Sequence, residues 1–271
     1  MTAPFSADAR SIAAELSVVT VTRNNAEGLA KTLQSLRDQS ARPAETVVID
    51  GDSTDATPAT LERFADVVDV IERDRGTGIY AAMNQGTAAA AGRWVCMLNA
   101  GDRLADPGVL RAVRPEPGAE LIFGEAVTTA GEPHLRRRDL ARPWAGMPFS
   151  HQALFCRREL LLARPFDERL RIAADFDFVL WAVRTGRSVQ DVPRVICEVE
   201  LGGVSSTQPV RRILESYRVA SRHYPLRAAM HQHYWGKLRW ALRERLPPVR
   251  TRLRGLRAST DVETARSRAE R

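Results

Sequence analysis

In the first hundred residues, short continuous apolar runs alternate with segments in which apolar residues recur at helical spacing. Four short continuous runs, rich in β-branched residues, have the length and pattern of strands buried on both faces of a sheet. These runs occupy residues 16–22, 45–50, 67–72 and 94–98. Between them apolar residues recur at helical spacing, as Leu29, Leu33 and Leu36 do. This alternation of strand and helix predicts an α/β fold, with a mostly parallel, Rossmann-like sheet covered by helices on both faces.

Turn and cap signals mark where some of these elements begin and end. Thr57 precedes Pro58, which predicts a helix with Thr57 as its N-cap. Gly92 predicts the end of a helix over 78–91.

After residue 102 the alternation becomes looser. A short helix is predicted to start at Asp106 and Pro107, and a longer one covers 174–184. Further strands are predicted at 120–125 and 195–199. The polar, arginine-rich segment 126–147 predicts a hairpin or mobile loop over the site.

Composition indicates an ordinary globular protein. The 271 residues are 44% hydrophobic and 27% charged, and no apolar run reaches the roughly eighteen residues of a membrane-spanning helix. The three cysteines are far apart and form no CxxC pair, which argues against a zinc site or a disulfide framework. The N-terminus lacks the pattern of a secretory signal. We therefore expect a cytoplasmic protein, with a tail at 1–15, a catalytic domain at 16–224, a basic helical extension at 225–258 and a disordered tail at 259–271.

The net charge of +7 comes from the C-terminal part of the chain. From Pro225 onward there are twelve Lys/Arg and four Asp/Glu residues, so this part carries +8. Met230, Tyr234 and Leu238 lie on one predicted helical face, beside Trp235 and Trp240. Such a helix, over 230–257, either lies on an anionic membrane surface or packs on the domain with a solvated basic face. No nucleic-acid-binding motif accompanies the charge, so we expect no nucleic-acid partner.

Acidic and amide side chains cluster where predicted strands end. Asp50, Asp74 and Asp102 each follow one of the apolar runs, and Asp102 closes the stretch RWVCMLNAGD. The carboxyl ends of parallel strands meet at one rim of a sheet, where ligands bind. Asp102 is therefore well placed to hold a divalent cation that neutralises a diphosphate. The alternative is a turn that only ends the strand.

Six segments occur in an order that resembles a known family. They read TVTRNN, VVIDGDSTDAT, DRGTGIYAAMNQG, LNAGD, SHQALF and IAADFDFVLWA, within residues 17–187. Each motif is loose by itself, but the ordered series resembles the family 2 glycosyltransferases of the GT-A fold. It is especially similar to the colanic-acid-type enzymes that build bacterial surface polysaccharides.

The resemblance implies a site and a reaction. Asp175 matches the catalytic base, Asp102 the ligand of Mn²⁺ or Mg²⁺, and His151 and Gln152 a segment near the sugar and acceptor. The positions implied for nucleotide and donor binding are Thr20, Thr22, Asn24, Asp50, Asp52, Asp74, Tyr80, Asn84 and Asn99. The implied activity is inverting transfer from a UDP-, GDP- or dTDP-sugar to a saccharide or lipid-linked acceptor in cell-surface polysaccharide synthesis. Such an enzyme would work in the cytoplasm or as a peripheral protein at the inner face of the membrane.

Departures from the family pattern keep two other functions open. Asn99 stands where the wider family has a first metal-site acid, and Ala174 where an acid often precedes the base. Both changes favour a non-catalytic carbohydrate- or membrane-binding module with a degenerate GT-A site. A sugar-phosphate nucleotidyltransferase would need a glycine-rich, Lys/Arg-bearing loop after the first strand. The sequence TRNNAEG is a poor version of that loop.

Overall fold

The computed structural model describes residues 11–74, 78–134, 140–202, 207–225 and 227–245. The strands in this part of the chain are β1 (Leu16–Thr22), β2 (Glu45–Asp50), β3 (Val70–Arg73), β4 (Trp94–Met97), β5 (Arg103–Leu104), β6 (Leu121–Thr128), β7 (Leu154–Arg157) and β8 (Val189–Val199). The α-helices are α1 (Ala26–Arg37), α2 (Thr57–Arg63), α3 (Ile79–Ala89), α4 (Val109–Ala112), α5 (Arg158–Ala163), α6 (Ala174–Arg184), α7 (Pro209–His223) and α8 (Ala228–Arg245).

The strands form one mixed sheet in the order β3-β2-β1-β4-β7-β6-β8-β5. The four N-terminal strands β1 to β4 pair in parallel, as the alternating pattern predicts. β7 enters antiparallel between β4 and β6, and β6 pairs in parallel with β8. The predicted α/β, GT-A-type architecture is confirmed, and the carboxyl ends of β1, β2 and β4 lie at one rim.

Helices cover both faces of the sheet. Val19 of β1 belongs to the same buried cluster as Met83 of α3. Its neighbour Val18 belongs to the cluster on the opposite face, together with Leu33 of α1. Successive side chains of a strand point to opposite faces, so a strand buried on both sides must be apolar throughout. This explains the unbroken apolar run of β1.

Several predicted boundaries are wrong. Residues 67–69 precede the strand: Val67 lies in the turn after α2, where its N–H donates to the Phe64 carbonyl at 2.9 Å, and β3 starts only at Val70. β8 is eleven residues long because it pairs along the whole of β6. β6 itself continues to Thr128, into the segment predicted as a hairpin or mobile loop, and Val127 forms an antiparallel bridge with Pro133 there, as the hairpin alternative predicts.

The predicted N-cap of α2 is also wrong. Ala56 occupies the cap position, and Thr57 is the first helical residue. The capping oxygen comes from Asp55, which accepts hydrogen bonds from the Thr57 N–H at 3.0 Å and from its hydroxyl at 2.6 Å. Asp55 also accepts from Ala26 N–H at 3.0 Å, at the start of α1. This carboxylate therefore joins two helix N-termini.

The C-terminal helices pack against the domain. Met230 and Tyr234 of α8 are buried in the core, and the Tyr234 hydroxyl donates to the Trp144 carbonyl at 3.0 Å. The apolar face of α8 is therefore covered by protein, while Trp235 and Trp240 are 60% and 61% exposed. Of the helices within the described residues, none is long and apolar enough to cross a bilayer.

The structure describes only part of the predicted N-terminal tail and of the predicted C-terminal extension. Residues 11–15 include a short 3-10 turn in which Ile12 is buried and donates its N–H to the Val113 carbonyl at 3.0 Å. The remainder of the predicted N-terminal tail, residues 246–258 of the extension and the predicted tail at 259–271 lie outside the described residues. The domain boundaries stay predictions.

Candidate active site

A tight turn follows β4 and contains Asn99, Gly101 and Asp102. Thr32 of α1 stabilises this turn, because its hydroxyl donates to the Asp102 carbonyl at 2.6 Å and accepts from Gly101 N–H at 3.1 Å. Gly101 has φ +107°, a backbone conformation that residues with a Cβ rarely adopt, so glycine is favoured at this position.

Asp102 is buried beside the start of the segment that follows β8. Its carboxylate accepts a 3.0 Å hydrogen bond from Glu200 N–H and interacts with the side chain of Gln152. Burial raises the pKa of Asp102 to about 6, although the bond from Glu200 and the charge of His151 oppose that rise. The carboxylate is therefore costly to ionise without a cationic partner.

Asp175 lies in the first turn of α6, where it contacts two other predicted site residues. Its Oδ2 is 2.9 Å from Nδ1 of His151, and its Oδ1 accepts from the Tyr80 hydroxyl at 3.1 Å. His151 belongs to a 3-10 turn that precedes β7, and its Nε2 lies 3.4 Å from Nδ2 of Asn99. The fold thus joins α3, α6, the 3-10 turn and the turn after β4 in one cluster.

The electrostatics of this cluster favour the charged form of His151. Burial lowers the pKa of His151, but the hydrogen bond to Asp175 and the charges of Asp175 and Asp102 outweigh it, so the pKa is raised above 6.5. Burial, together with the charge of Asp175, raises the pKa of Tyr80 well above 10. Tyr80 therefore stays neutral and acts as a hydrogen-bond donor to the carboxylate.

Buried oxygen atoms without partners lie in β1 and in the turn after β4. The hydroxyls of Thr20 and Thr22, and Oδ1 of Asn99, have no hydrogen-bond partner within the described ranges. Buried polar atoms are nearly always paired in folded proteins, and unpaired ones call for an explanation such as a ligand. These atoms fit the prediction of a donor site there.

The loops after β1 and β2 are tied to each other. Asn24, with φ +49°, accepts a hydrogen bond from Thr54 N–H at 2.8 Å and donates its own N–H to Ser53 Oγ at 2.8 Å. Ser53 in turn donates to the carboxylate of Asp50, at 2.5 Å from its hydroxyl. Asp52, with φ +59°, is exposed in the same loop. Their donor-binding roles stay predictions.

Two other residues that were predicted to bind the nucleotide-sugar donor make hydrogen bonds with backbone groups. Asp74 is buried, and its N–H donates to the Asp50 carbonyl at 2.8 Å. The amide of Asn84 donates to the Phe166 carbonyl at 3.0 Å and accepts from Phe166 N–H at 2.9 Å. It also donates to Glu168 at 2.9 Å. Asn84 therefore stabilises the loop before α6. Its predicted role in binding the nucleotide-sugar donor stays a prediction.

Sequence reasoning missed several residues at this site. Ser150 donates to Oε1 of Gln152, and its hydroxyl lies 3.4 Å from Nδ1 of His134. Glu200 supports Asp102, as described above, but lies beyond the last predicted strand. Ser150 could have been predicted from the sequence, since it directly precedes His151 and Gln152 in the motif SHQALF.

The residues present fit a metal ion that arrives with a diphosphate. Nowhere in the described part of the chain do three or more His, Cys, Asp or Glu side chains form a metal-binding group. The turn instead offers the carboxylate of Asp102 and the unpaired oxygen of Asn99. Magnesium-type ions are commonly bound by one or two carboxylates plus substrate phosphates.

The sheet and the position of the site define a GT-A glycosyltransferase fold, and solved structures of that class resemble it. The mannosyltransferase PcManGT from Pyrobaculum calidifontis, solved with GDP-Man and Mn²⁺, matches with a TM-score of 0.62 and 19% identity, over 96% of this chain and 83% of its own. S. aureus TarS 1-349, solved with UDP-GlcNAc, matches with a TM-score of 0.62 and 18% identity, over 83% of this chain and 70% of its own.

The chain belongs to glycosyl transferase family 2, whose pattern it matches over residues 17–161. A PGL/p-HBAD biosynthesis glycosyltransferase of Mycobacterium tuberculosis is 30% identical over 217 residues, which cover 76% of this chain and 85% of that protein. Membership in the family favours glycosyl transfer over the nucleotidyltransferase alternative. The narrower resemblance to colanic-acid-type enzymes stays a prediction.

Proposed function

We propose that this chain is an inverting glycosyltransferase of cell-surface polysaccharide synthesis. It would transfer one sugar from a nucleotide-sugar donor to a hydroxyl of a saccharide or lipid-linked acceptor. The observation that carries the proposal is the contact chain Asn99–His151–Asp175, with atom separations of 3.4 and 2.9 Å. It joins the turn that holds Asp102 to the helix that carries the predicted base.

Inversion needs two functions on opposite sides of the anomeric carbon. A base must take the proton of the attacking hydroxyl, and the charge on the departing diphosphate must be stabilised. The pair formed by Asp175 and His151 suits the first function. Asp102 suits the second, because a buried carboxylate with a pKa raised to about 6 gains most from a bound cation.

Asp102 would hold Mn²⁺ or Mg²⁺ together with the donor. Such an ion, when bound, supplies positive charge that stabilises the diphosphate leaving group. The chain itself contributes the buried hydroxyls of Thr20 and Thr22 and the amide of Asn99, which are available to bind the nucleotide part of the donor.

Known structures and relatives narrow the substrates to test. Neighbours solved with GDP-Man or UDP-GlcNAc support a nucleotide-sugar donor here. The relative named for PGL/p-HBAD biosynthesis makes compounds of that pathway reasonable acceptors to include.

A donor screen tests the proposal. The purified full chain is incubated with Mn²⁺ and UDP-, GDP- and dTDP-sugars, and thermal shift and release of free nucleotide are measured. We expect one donor class to stabilise the protein, an effect lost with a chelator and in Asp102→Ala. The matched control is Glu27→Ala, which removes an exposed carboxylate from α1.

Two results would contradict the proposal. Nucleotide binding without turnover on any donor and acceptor would favour the non-catalytic module. The absence of a thermal shift with every donor and free nucleotide would exclude the donor site itself.

We further propose that the C-terminal extension binds an anionic membrane surface, which would place the enzyme at the inner face of the cell membrane. The exposed indoles of Trp235 and Trp240 support this, together with the +8 charge of the chain from Pro225 onward. Exposed tryptophans beside basic residues suit a membrane interface. The buried face of α8 would stay on the domain, so the tryptophans rather than Met230 and Tyr234 would meet the lipid.

A further inference from the structure

A pocket of about 520 Å³ lies between the loop after α5, the first turns of α6 and the end of α7. Its walls include Arg164, Phe166, Asp167, Asp177 and Arg222, and we call it the arginine pocket. We propose that this pocket binds an anionic group of the acceptor, either a phosphate or a carboxylate. The proposal rests on the glycosyltransferase function proposed above, because it concerns the acceptor of that reaction. The volume is that of a typical small-molecule site.

Two carboxylates of the arginine pocket are occupied by its own basic groups. Asp167 accepts three hydrogen bonds from Arg169, at 3.2, 2.8 and 3.0 Å, and one from Arg222 at 3.2 Å. Four bonds fill the lone-pair positions of a carboxylate. Asp177 accepts from Arg164 at 2.8 Å, and its side chain is only 4% exposed. Neither acid is therefore available to a cation or to a ligand that donates hydrogen bonds.

The guanidinium groups of Arg164 and Arg222, in contrast, keep most of their donors. A guanidinium has five N–H bonds. Among the described residues, Arg164 uses one of them through Nη2 and Arg222 one through Nη1. Nε of Arg164 is buried and has no partner there, and such atoms call for an explanation such as a ligand. Both side chains are 43% exposed, so a ligand that accepts hydrogen bonds can reach them.

The backbone that carries these arginines is held in place without a ligand. Asn84 of α3 donates to the Phe166 carbonyl at 3.0 Å and accepts from Phe166 N–H at 2.9 Å. The N–H of Arg164 donates to the Leu160 carbonyl at 2.9 Å, which ties the loop to α5. Arg222 belongs to the last turn of α7. A binding group on a fixed backbone loses less entropy when the ligand binds.

Phe166 is a common wall of the arginine pocket and the proposed active site. It also lines a small cavity beside His151 and Asp175. Its ring centre lies 5.6 Å from that of Tyr80, whose hydroxyl donates to Asp175 at 3.1 Å. The contacts of Asp175 thus lead through His151 to the turn that carries Asp102, and through Tyr80 to Phe166. The pocket is on the second of these two sides, which suits the acceptor rather than the donor.

The direction of the donors, and not the net charge, favours an anion in this pocket. Three arginines face the carboxylates of Asp167, Glu168 and Asp177, so the charges of these six side chains balance. Glu168 is exposed and accepts from Asn84 at 2.9 Å, so solvent screens its repulsion. Guanidinium forks match two oxygens of a phosphate or carboxylate, whereas a neutral hydroxyl offers one oxygen.

Binding of small anions to the full chain tests the pocket directly. Inorganic phosphate, glucuronic acid and uncharged glucose are titrated into the protein without donor or metal, and the arginine Nε–H signals are followed by NMR. We expect phosphate or glucuronate to shift the signals of Arg164 and Arg222, and glucose to leave them unchanged. A response to phosphate indicates a phosphorylated or lipid-linked acceptor, and a response to glucuronate indicates an acidic sugar. No response to either anion would overturn the proposal.

Matched variants show whether the pocket is responsible. Arg222→Gln should weaken anion binding by about tenfold or more, because hydrogen bonds between charged groups are strong. Arg222→Lys keeps the charge but loses the planar fork, so it should also bind more weakly than wild type. Arg212→Gln removes an exposed arginine nearer the start of α7 and should bind like wild type. Equal affinities in wild type and Arg222→Gln would contradict the assignment.

Transfer kinetics test the link to the acceptor. With acceptors that carry a phosphate or a carboxylate, Arg222→Gln should raise KM by about tenfold or more and change kcat far less. The increase should be absent with the matched neutral acceptor. A fall in kcat of equal size with anionic and neutral acceptors would mean that Arg222 only stabilises the loop, and the proposal would be wrong.

The two measurements separate failure of this proposal from failure of the proposed function. A wild type that transfers sugar but binds neither anion would overturn the acceptor pocket alone. A wild type that binds an anion through Arg222 but transfers no sugar with any donor would overturn the glycosyltransferase function, and with it the acceptor role of the pocket.

Discussion

The carboxylate of Glu215 in α7 accepts a 2.8 Å hydrogen bond from the backbone N–H of Ile172, in the loop that leads into α6. A second bond of 3.0 Å comes from Arg171 N–H, and Arg211 lies 3.1 Å from the other oxygen. Asp175 follows only three residues after Ile172. Glu215 of α7 therefore positions the start of α6, the helix that carries Asp175.

Replacing Glu215 should disturb both stability and catalysis. In Glu215→Ala two backbone N–H groups lose their partner, which typically costs about 1–3 kcal/mol when the groups are buried. We expect a lower free energy of unfolding by denaturant and a lower kcat, with little change in donor affinity. Glu27→Ala, at a side chain that is 86% exposed, should change none of these. A loss of donor affinity equal to the loss of kcat would contradict a role in positioning Asp175.

Thr32 should matter for nucleotide binding although it lies beneath the site. Thr32→Val keeps the shape but leaves the buried N–H of Gly101 unpaired, at a typical cost of about 1–3 kcal/mol. The turn after β4 should loosen, and the metal-dependent affinity for nucleotide, measured by calorimetry, should fall several-fold. Thr87→Val is the matched control, because the buried hydroxyl of Thr87 donates to the Met83 carbonyl of its own helix at 2.9 Å. Equal affinities in the two variants would exclude this role.

Asp102→Asn should stabilise the metal-free protein at neutral pH while abolishing metal-dependent nucleotide binding. The pKa of Asp102 is raised to about 6 from 3.8, so the folded state holds this proton to higher pH than the unfolded chain. The contribution of this group to stability is therefore present below about pH 4 and lost as the pH rises through about 6. The variant avoids that loss, which is on the order of 1–3 kcal/mol.

Thermal melting in chelator at several pH values measures this effect. The difference in Tm between Asp102→Asn and wild type should be small at pH 4 and grow up to about pH 6. A variant less stable than wild type at pH 7 would show that the carboxylate mainly serves a structural hydrogen bond.

Membrane binding should depend on the two exposed tryptophans of α8. The variant with Trp235→Ala and Trp240→Ala should sediment less with anionic vesicles than wild type, and added salt should weaken binding of both by screening. Leu162→Ala, at an exposed apolar residue on α5, is the control. Point variants are preferable to truncation at Pro225, because Met230 and Tyr234 are part of the core. Equal sedimentation of wild type and double variant would exclude binding through α8.

The sequence by itself determined the local elements of this protein. The predicted bounds of β1, β2 and α6 are those of the structure, because burial on both faces of a strand or one face of a helix leaves a periodic trace in the chain. The order of the motifs was enough to predict the family and the GT-A fold. The acidic turn after β4 was visible for the same reason, as an abrupt change from apolar to polar residues.

Only the tertiary structure decided which elements meet. β7 is four residues long, and its place between β4 and β6 depends on non-local pairing that no local pattern records. The contacts of Asp175 with His151 and with Tyr80, which is 95 residues away in the chain, arise in the same way. A hydrophobic pattern encodes which side of an element is buried, but not which partner covers it. The site is made of such partners. Its candidate residues were predicted from the sequence, whereas the contacts of Asp175 with His151 and Tyr80 depended on the fold.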